Sequence, residues 1–234
     1  MSIIGICSAK GAPGVTTLAT ALALAGGAVL VEADAAGGDL ALSRAIPHSP
    51  GLIQLAARAR TTDPGRGLLT DLVRTDEVDG LRMLPAPVEA PAARAALAIL
   101  AERPAILARA ARENLVLDFG RLHPESPAWP LVTACQSVCL LVRGDLLSLG
   151  HAGPLAEQLR TVAADVRFAL IDTGPYRADE AAAVLDLPCA GTVPAGQRPG
   201  GKRAARAHAE LWQQLQAVNQ DPEHSAILEA VNAR

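Results

Sequence analysis

The chain has 234 residues, a formal net charge of −3, and 50% hydrophobic against 19% charged residues. That is enough chain for one large domain with a real core. It excludes a disordered tail, a protein coated to hold polyanions and, for want of an apolar run of about 20 residues, a helical membrane span. Aromatic residues are only 2%, which argues against single-strand recognition by stacked bases, and just two of the 21 basic residues are lysines, Lys10 and Lys202.

Along the chain, short runs of Val, Ile and Leu alternate with longer Ala-rich stretches. This is the pattern of a parallel sheet with helices on both faces. Strands are predicted at 3–8 (IIGICS), 28–33 (AVLVEA), 81–86 (LRMLPA), 114–119 (NLVLDF), 137–143 (SVCLLVR), 167–172 (RFALID) and 189–193 (CAGTV). Helices are predicted near 16–25, 51–60, 91–111, 146–164, 178–186 and 200–218. The expected class is α/β, with a mostly parallel sheet of about seven strands. TTDPGRG (61–67) and RLHPESP (121–127) read as loops and nothing reads as a linker, so one domain is expected over 1–220, followed by a helical tail over 221–234. The opening MSIIGICSAK lacks the basic start and long apolar stretch of a secretory leader, which makes a cytoplasmic location the expectation.

Cys7, Cys135, Cys139 and Cys189 form no CxxC pair, and His48, His123, His151, His208 and His224 are scattered without a metal-like spacing. Structural thiols are expected. In open parallel sheets the ligand sits beyond the carboxyl ends of the strands, which directs attention to the turn after the first one. It reads SAKGAPGVTTLATALALA: a strand, a Gly-containing loop, then Thr16 and Thr17 opening a helix. Backbone N–H groups and a helix N-terminus in that layout hold phosphate oxygens. Strict P-loop spacing places a lysine at position 15, where this chain has Val15, and Pro13 pushes Ala12 toward an extended backbone.

KGAPGVTT at 10–17 resembles the deviant Walker A motif KGGxGKTT of the ParA/MinD superfamily. Lys10, Gly11, Gly14, Thr16 and Thr17 match it, whereas Ala12 replaces a glycine and Val15 the P-loop lysine. LVEADAAGGDLA (30–41) resembles the switch I strand and loop of that family, with Asp34 at its catalytic aspartate and Glu32 where an aspartate is usual. NLVLDFG (114–120) resembles its Walker B strand, with Asp118 at the carboxylate that holds Mg2+ through water. Later segments, ACQSVCLLVRGDLLSL and LDLPCAGTVPAGQR, resemble its next strand and the loop bordering the base. Within the superfamily the likeness is nearest to CpaE/TadZ-like and septum-site-like members with degenerate nucleotide loops.

The resemblance implies a P-loop NTPase-like fold and a nucleotide-responsive positioning factor for a cellular assembly: partitioning, septum, pilus or secretion machinery. It implies ATP or ADP with Mg2+ as cofactor, held by Lys10, Gly11, Gly14, Val15, Thr16 and Thr17, with Thr16 and Asp118 on the metal. A homodimer would use Lys10 across its face, and Asp34 would orient water. A lysine at a phosphate contributes about 1.5–3 kcal/mol in charge-assisted hydrogen bonds, so Val15 implies weak or absent hydrolysis. A scaffold that binds no nucleotide is the alternative. The segment RPGGKRAARAH, with Arg198, Lys202, Arg203 and Arg206, fits either a solvated helix face or a non-specific DNA patch, the former being favoured. Leu211, Trp212, Leu215 and Val218 mark a helix face for packing or for a partner, and the acidic end, DPEHSAILEAVNAR, disfavours a membrane anchor.

Overall fold

The computed structural model describes residues 1–10, 14–61, 69, 71–110, 113–195 and 202–217. Its centre is β1 (Ile3–Ser8), buried along its whole length. Side chains alternate across a strand, so Ile3 and Cys7 enter one apolar layer while Ile4 and Ile6 enter the other. The remaining strands are β2 (Val29–Glu32), β3 (Arg74–Thr75), β4 (Arg82–Leu84), β5 (Leu115–Arg121), β6 (Ser137–Arg143), β7 (Val166–Ile171) and β8 (Cys189–Val193). They form one sheet in the order β3-β4-β2-β5-β1-β6-β7-β8. Every pairing is parallel except that of β3 with β4. All seven predicted strands are present. β3, which lacks an apolar run, is an addition of two residues at the sheet edge.

The helices are α1 (Val15–Gly26), α2 (Leu40–Ser43), α3 (Leu52–Thr61), α4 (Ala90–Ala101), α5 (Ile106–Ala110), α6 (Leu146–Arg160), α7 (Ala178–Leu185) and α8 (Lys202–Gln216). One face of the sheet is covered by α3, α4, α6 and α7 through residues such as Leu55, Leu97, Leu155 and Leu185. The other is covered by α1 and α8, through Leu18, Leu22, Leu211, Trp212 and Leu215. The single helix predicted near 91–111 is two: α4 stops at Ala101 and α5 starts at Ile106. Pro104, between them, lacks the N–H and carries the ring that a continuous helix excludes. A short 3₁₀ turn, Trp129–Ala134, and the one-turn α2 were not anticipated. Val218 and the tail expected at 221–234 lie outside the described residues.

Packing, rather than a partner, takes the apolar face of α8. Trp212 is 6% exposed, and its indole lies against Gly26 so closely that a Cβ there would overlap the ring. The last turn of α1 is thereby clasped by α8. Trp212→Ala is expected to lower stability by about 3–5 kcal/mol, the usual cost of emptying a large aromatic site. A drop in the urea midpoint with an unchanged slope measures it.

Candidate functional site at the carboxyl edge of the sheet

Parallel pairing brings the carboxyl ends of β1, β2 and β5 to one edge. Ser8 and Gly120 join there, with the Ser8 hydroxyl donating to the Gly120 carbonyl at 3.4 Å and the Leu122 N–H to the Ser8 carbonyl at 3.0 Å. Gly14 precedes α1 with φ of 106°, a left-handed conformation open to glycine. The Leu18 N–H to Gly14 carbonyl bond, 2.8 Å, closes the first turn of α1, and no side chain caps the helix. Thr16 is half-buried there and Thr17 is exposed. Gly11 lies outside the described residues.

Val15 is 2% exposed and belongs to the apolar layer of Ile4, Ile6 and Leu18. The position at which the motif resemblance would place a lysine is thus part of the core. Lys10 is exposed, and its ammonium lies 3.4 Å from Nε2 of His151 on α6.

Three carboxylates gather at this edge, and they differ in how they are satisfied. Glu32 and Asp118 are register partners on adjacent strands, 2% and 0% exposed. Glu32 Oε1 accepts the N–H groups of Asp39 (2.7 Å) and Leu40 (3.0 Å), and Oε2 accepts that of Ala86 (2.9 Å). It ties the 33–39 loop to the end of β4, and Gly38 packs on it without room for a side chain. Asp118 accepts the Gly120 N–H on Oδ1 at 2.9 Å, while among the described residues Oδ2 is buried with no hydrogen-bond partner of good geometry. Asp34 accepts the Ala36 N–H at 2.8 Å and rests on Gly120, where φ is +56° and a Cβ would overlap its carboxylate. Gly120 therefore lets Asp34 and Asp118 approach each other.

Burial pushes Glu32 up to about 7 against the pull of its three backbone N–H groups, with the Asp118 charge adding to the rise. Burial likewise pushes Asp118 up to about 6. The neighbouring Thr16 hydroxyl and the Gly120 N–H hold it down, and the charges of Asp34 and Asp39 raise it further. Asp34 is raised by burial first, opposed by the Ala36 N–H.

No group of three or more His, Cys, Asp or Glu among the described residues is arranged as a metal cage. Mg2+ does not need one, since it retains waters and takes one or two carboxylates together with substrate phosphates. A buried carboxylate oxygen without a hydrogen bond of good geometry, with a threonine hydroxyl beside it at an uncapped helix start, fits that demand.

Beside Asp34 opens a cleft of about 760 Å³, also lined by Arg94, Arg121, His123, Glu125 and Gln158. No motif marked Arg94 or Arg121. The arginine directly after the NLVLDFG segment was the one available signal.

Other sequence candidates stay outside this site. Arg206 pairs with Glu210 at 2.8 Å, Arg203 is exposed, and Arg198 lies outside the described residues, so no joint basic patch is described. Cys7, Cys135 and Cys139 are buried free thiols whose pKa values burial raises, that of Cys139 to about 12, as suits structural side chains.

The fold is that of ParA/MinD-type P-loop proteins. The septum site-determining protein MinD from Pyrococcus horikoshii, solved with Mg-ADP, is 17% identical, covers 94% of this chain and 97% of its own, and superposes with a TM-score of 0.73. A ParA family ATPase from Chlorobium tepidum is 19% identical over 98% of this chain and 97% of its own, with a TM-score of 0.66. Cobyrinic acid a,c-diamide synthase from Mycobacterium smegmatis, solved with an ATP analogue and magnesium, is 17% identical, with coverage of 94% and 96% and a TM-score of 0.66. No protein-family model and no curated protein sequence matches the chain. Among the described residues no helix is long and apolar enough to cross a membrane.

The raised carboxyls fix the sign of a pH effect. The native state retains protons between about pH 4 and 7 that the unfolded chain has released. Stability from these groups is complete below the unfolded values of 3.8–4.5 and is lost as pH rises through the folded values of about 6 and 7. Asp118→Asn is expected to flatten the fall in Tm between about pH 4 and 6, the interval between the unfolded and folded values of Asp118. The difference between wild type and variant cancels His208, whose lowered pKa acts with the opposite sign.

Proposed function

We propose that the chain is a nucleotide-responsive switch of the ParA/MinD kind, a positioning factor for a larger cellular assembly, with weak or absent ATP hydrolysis. The supporting observation is the buried Oδ2 of Asp118, which among the described residues has no hydrogen bond of good geometry, with the Thr16 hydroxyl near the carboxylate, at the edge where α1 begins without a capping side chain. Glu32, buried to a similar depth on the adjacent strand, has both oxygens satisfied by backbone N–H groups. Folds alone do not assign function, and this one also carries an amide-forming synthase, so the reading rests on the site.

In this reading the first turn of α1, with Gly14, Thr16 and Thr17, holds phosphate oxygens, and Thr16 and Asp118 hold Mg2+, directly or through water. The metal, when bound, would neutralise phosphate charge. Gly11 and Lys10 belong to the phosphate loop in this reading, and the exposed Lys10 would have to leave His151 to reach a second copy. Asp34, anchored by the Ala36 N–H and seated on Gly120, orients water. A homodimer across this edge and a protein partner in the cytoplasm complete the proposal.

The burial of Val15 favours a second reading, a scaffold that keeps the sheet and binds no nucleotide. Calorimetric titration separates the two. Mg-ATP and Mg-ADP are expected to bind, Asp118→Ala and Thr16→Ala to abolish the Mg2+ dependence, and turnover to stay far below the roughly 1–100 per second of kinases. Absence of binding by the wild-type chain at millimolar nucleotide would establish the scaffold instead.

A further inference from the structure

A phosphate site that has lost its lysine to the core leaves the terminal phosphate without a cation from α1. Val15 at 2% exposure cannot supply one. Lys10 is directed to His151 on α6. The cleft beside Asp34 contains two other cations, Arg94 and Arg121, that no motif accounts for.

Arg121 closes β5, three residues beyond Asp118, and is the register partner of Ser8 at the end of β1. Its Nε donates to the Ala9 carbonyl at 3.2 Å, which ties the guanidinium to the root of the phosphate loop. Arg94, on α4, donates from Nε to the Ala35 carbonyl at 3.3 Å, which ties a second guanidinium to the loop that carries Asp34. Both side chains belong to exposed residues, and among the described residues their terminal nitrogens make no hydrogen bond or ion pair. An arginine fixed through Nε still presents two donors in one plane, the geometry that grips a phosphate with paired bonds.

The same cleft holds Asp34 and Glu125. Two guanidinium charges offset those two carboxylates, so an incoming phosphate meets a compensated cleft rather than a repulsive one.

We propose that Arg121, assisted by Arg94, binds the terminal phosphate of a nucleoside triphosphate in place of the lysine replaced by Val15. This assignment rests on the nucleotide reading above and adds to it a preference for triphosphate over diphosphate. Arg121 lies on the β5 side of the site, with Asp118 and Asp34, rather than on the first turn of α1.

Calorimetric titration of Mg-ATP and Mg-ADP into wild type, Arg121→Ala, Arg121→Lys and Arg94→Ala tests it. Arg121→Ala is expected to weaken Mg-ATP by about 10- to 100-fold, the range for a lost charge-assisted hydrogen bond, and to leave Mg-ADP within about threefold. Arg121→Lys restores part of the loss, because an ammonium supplies charge without the planar fork. Arg94→Ala weakens Mg-ATP in the same direction by a smaller factor. An unchanged melting temperature of the nucleotide-free variants shows that the fold is intact.

Wild-type affinity for Mg-ATP in Arg121→Ala, or an equal loss for both nucleotides, overturns the assignment and leaves the nucleotide reading standing. If wild type binds neither nucleotide at millimolar concentration, the nucleotide reading fails and the assignment fails with it.

Discussion

Two acidic side chains at the same level of adjacent parallel strands, both removed from water, set the conditions for the rest of this molecule. Burying a carboxylate is costly unless hydrogen bonds replace its hydration. Glu32 meets that requirement with three backbone N–H groups drawn from two separate loops, and in doing so fixes the course of the chain over residues 33–39. Asp118 meets it by half, with one N–H on Oδ1 and nothing of good geometry on Oδ2. The first is a structural clamp, and the second has coordinating capacity to spare. Asp34 depends on Glu32, which holds its loop, and on Gly120, which gives its carboxylate a place to rest.

Much of the fold was legible because parallel strands buried on both faces must be runs of apolar residues, and seven such runs stand in the sequence. What escaped notice were elements without that signature. β3 is held by two residues at an edge, α2 is a single turn, and the break at Pro104 divides a stretch that alanine propensity alone would have continued. At the site, Lys10, Thr16, Asp34 and Asp118 could be named from motif spacing, and the structure gathers Thr16, Asp34 and Asp118, whereas Lys10 turns to His151. Glu32 was visible only as a departure from an expected aspartate, because its partners, Asp39, Leu40 and Ala86, are selected by the fold. Arg94 and Arg121 were invisible for a similar reason. They stand 27 positions apart in the numbering and meet only across a cleft made by tertiary packing.

Position 15 shows how the fold constrains the site. Val15 adds a β-branched apolar side chain to the layer formed by Ile4, Ile6 and Leu18, at a place where a charge would need solvent or ligand. If the first turn of α1 takes a phosphate, as proposed, its cation must therefore come from another element.

The clasp between Gly26 and Trp212 gives that turn a distant correspondent. α1 is about 18 Å long at 1.5 Å per residue, with its uncapped first turn at one end and the indole of α8 at the other. Because the glycine leaves no slack against the ring, the end of α1 cannot move toward α8 without displacing the indole. A single rigid helix thus spans the distance from the edge where the carboxylates gather to the packing contact with α8.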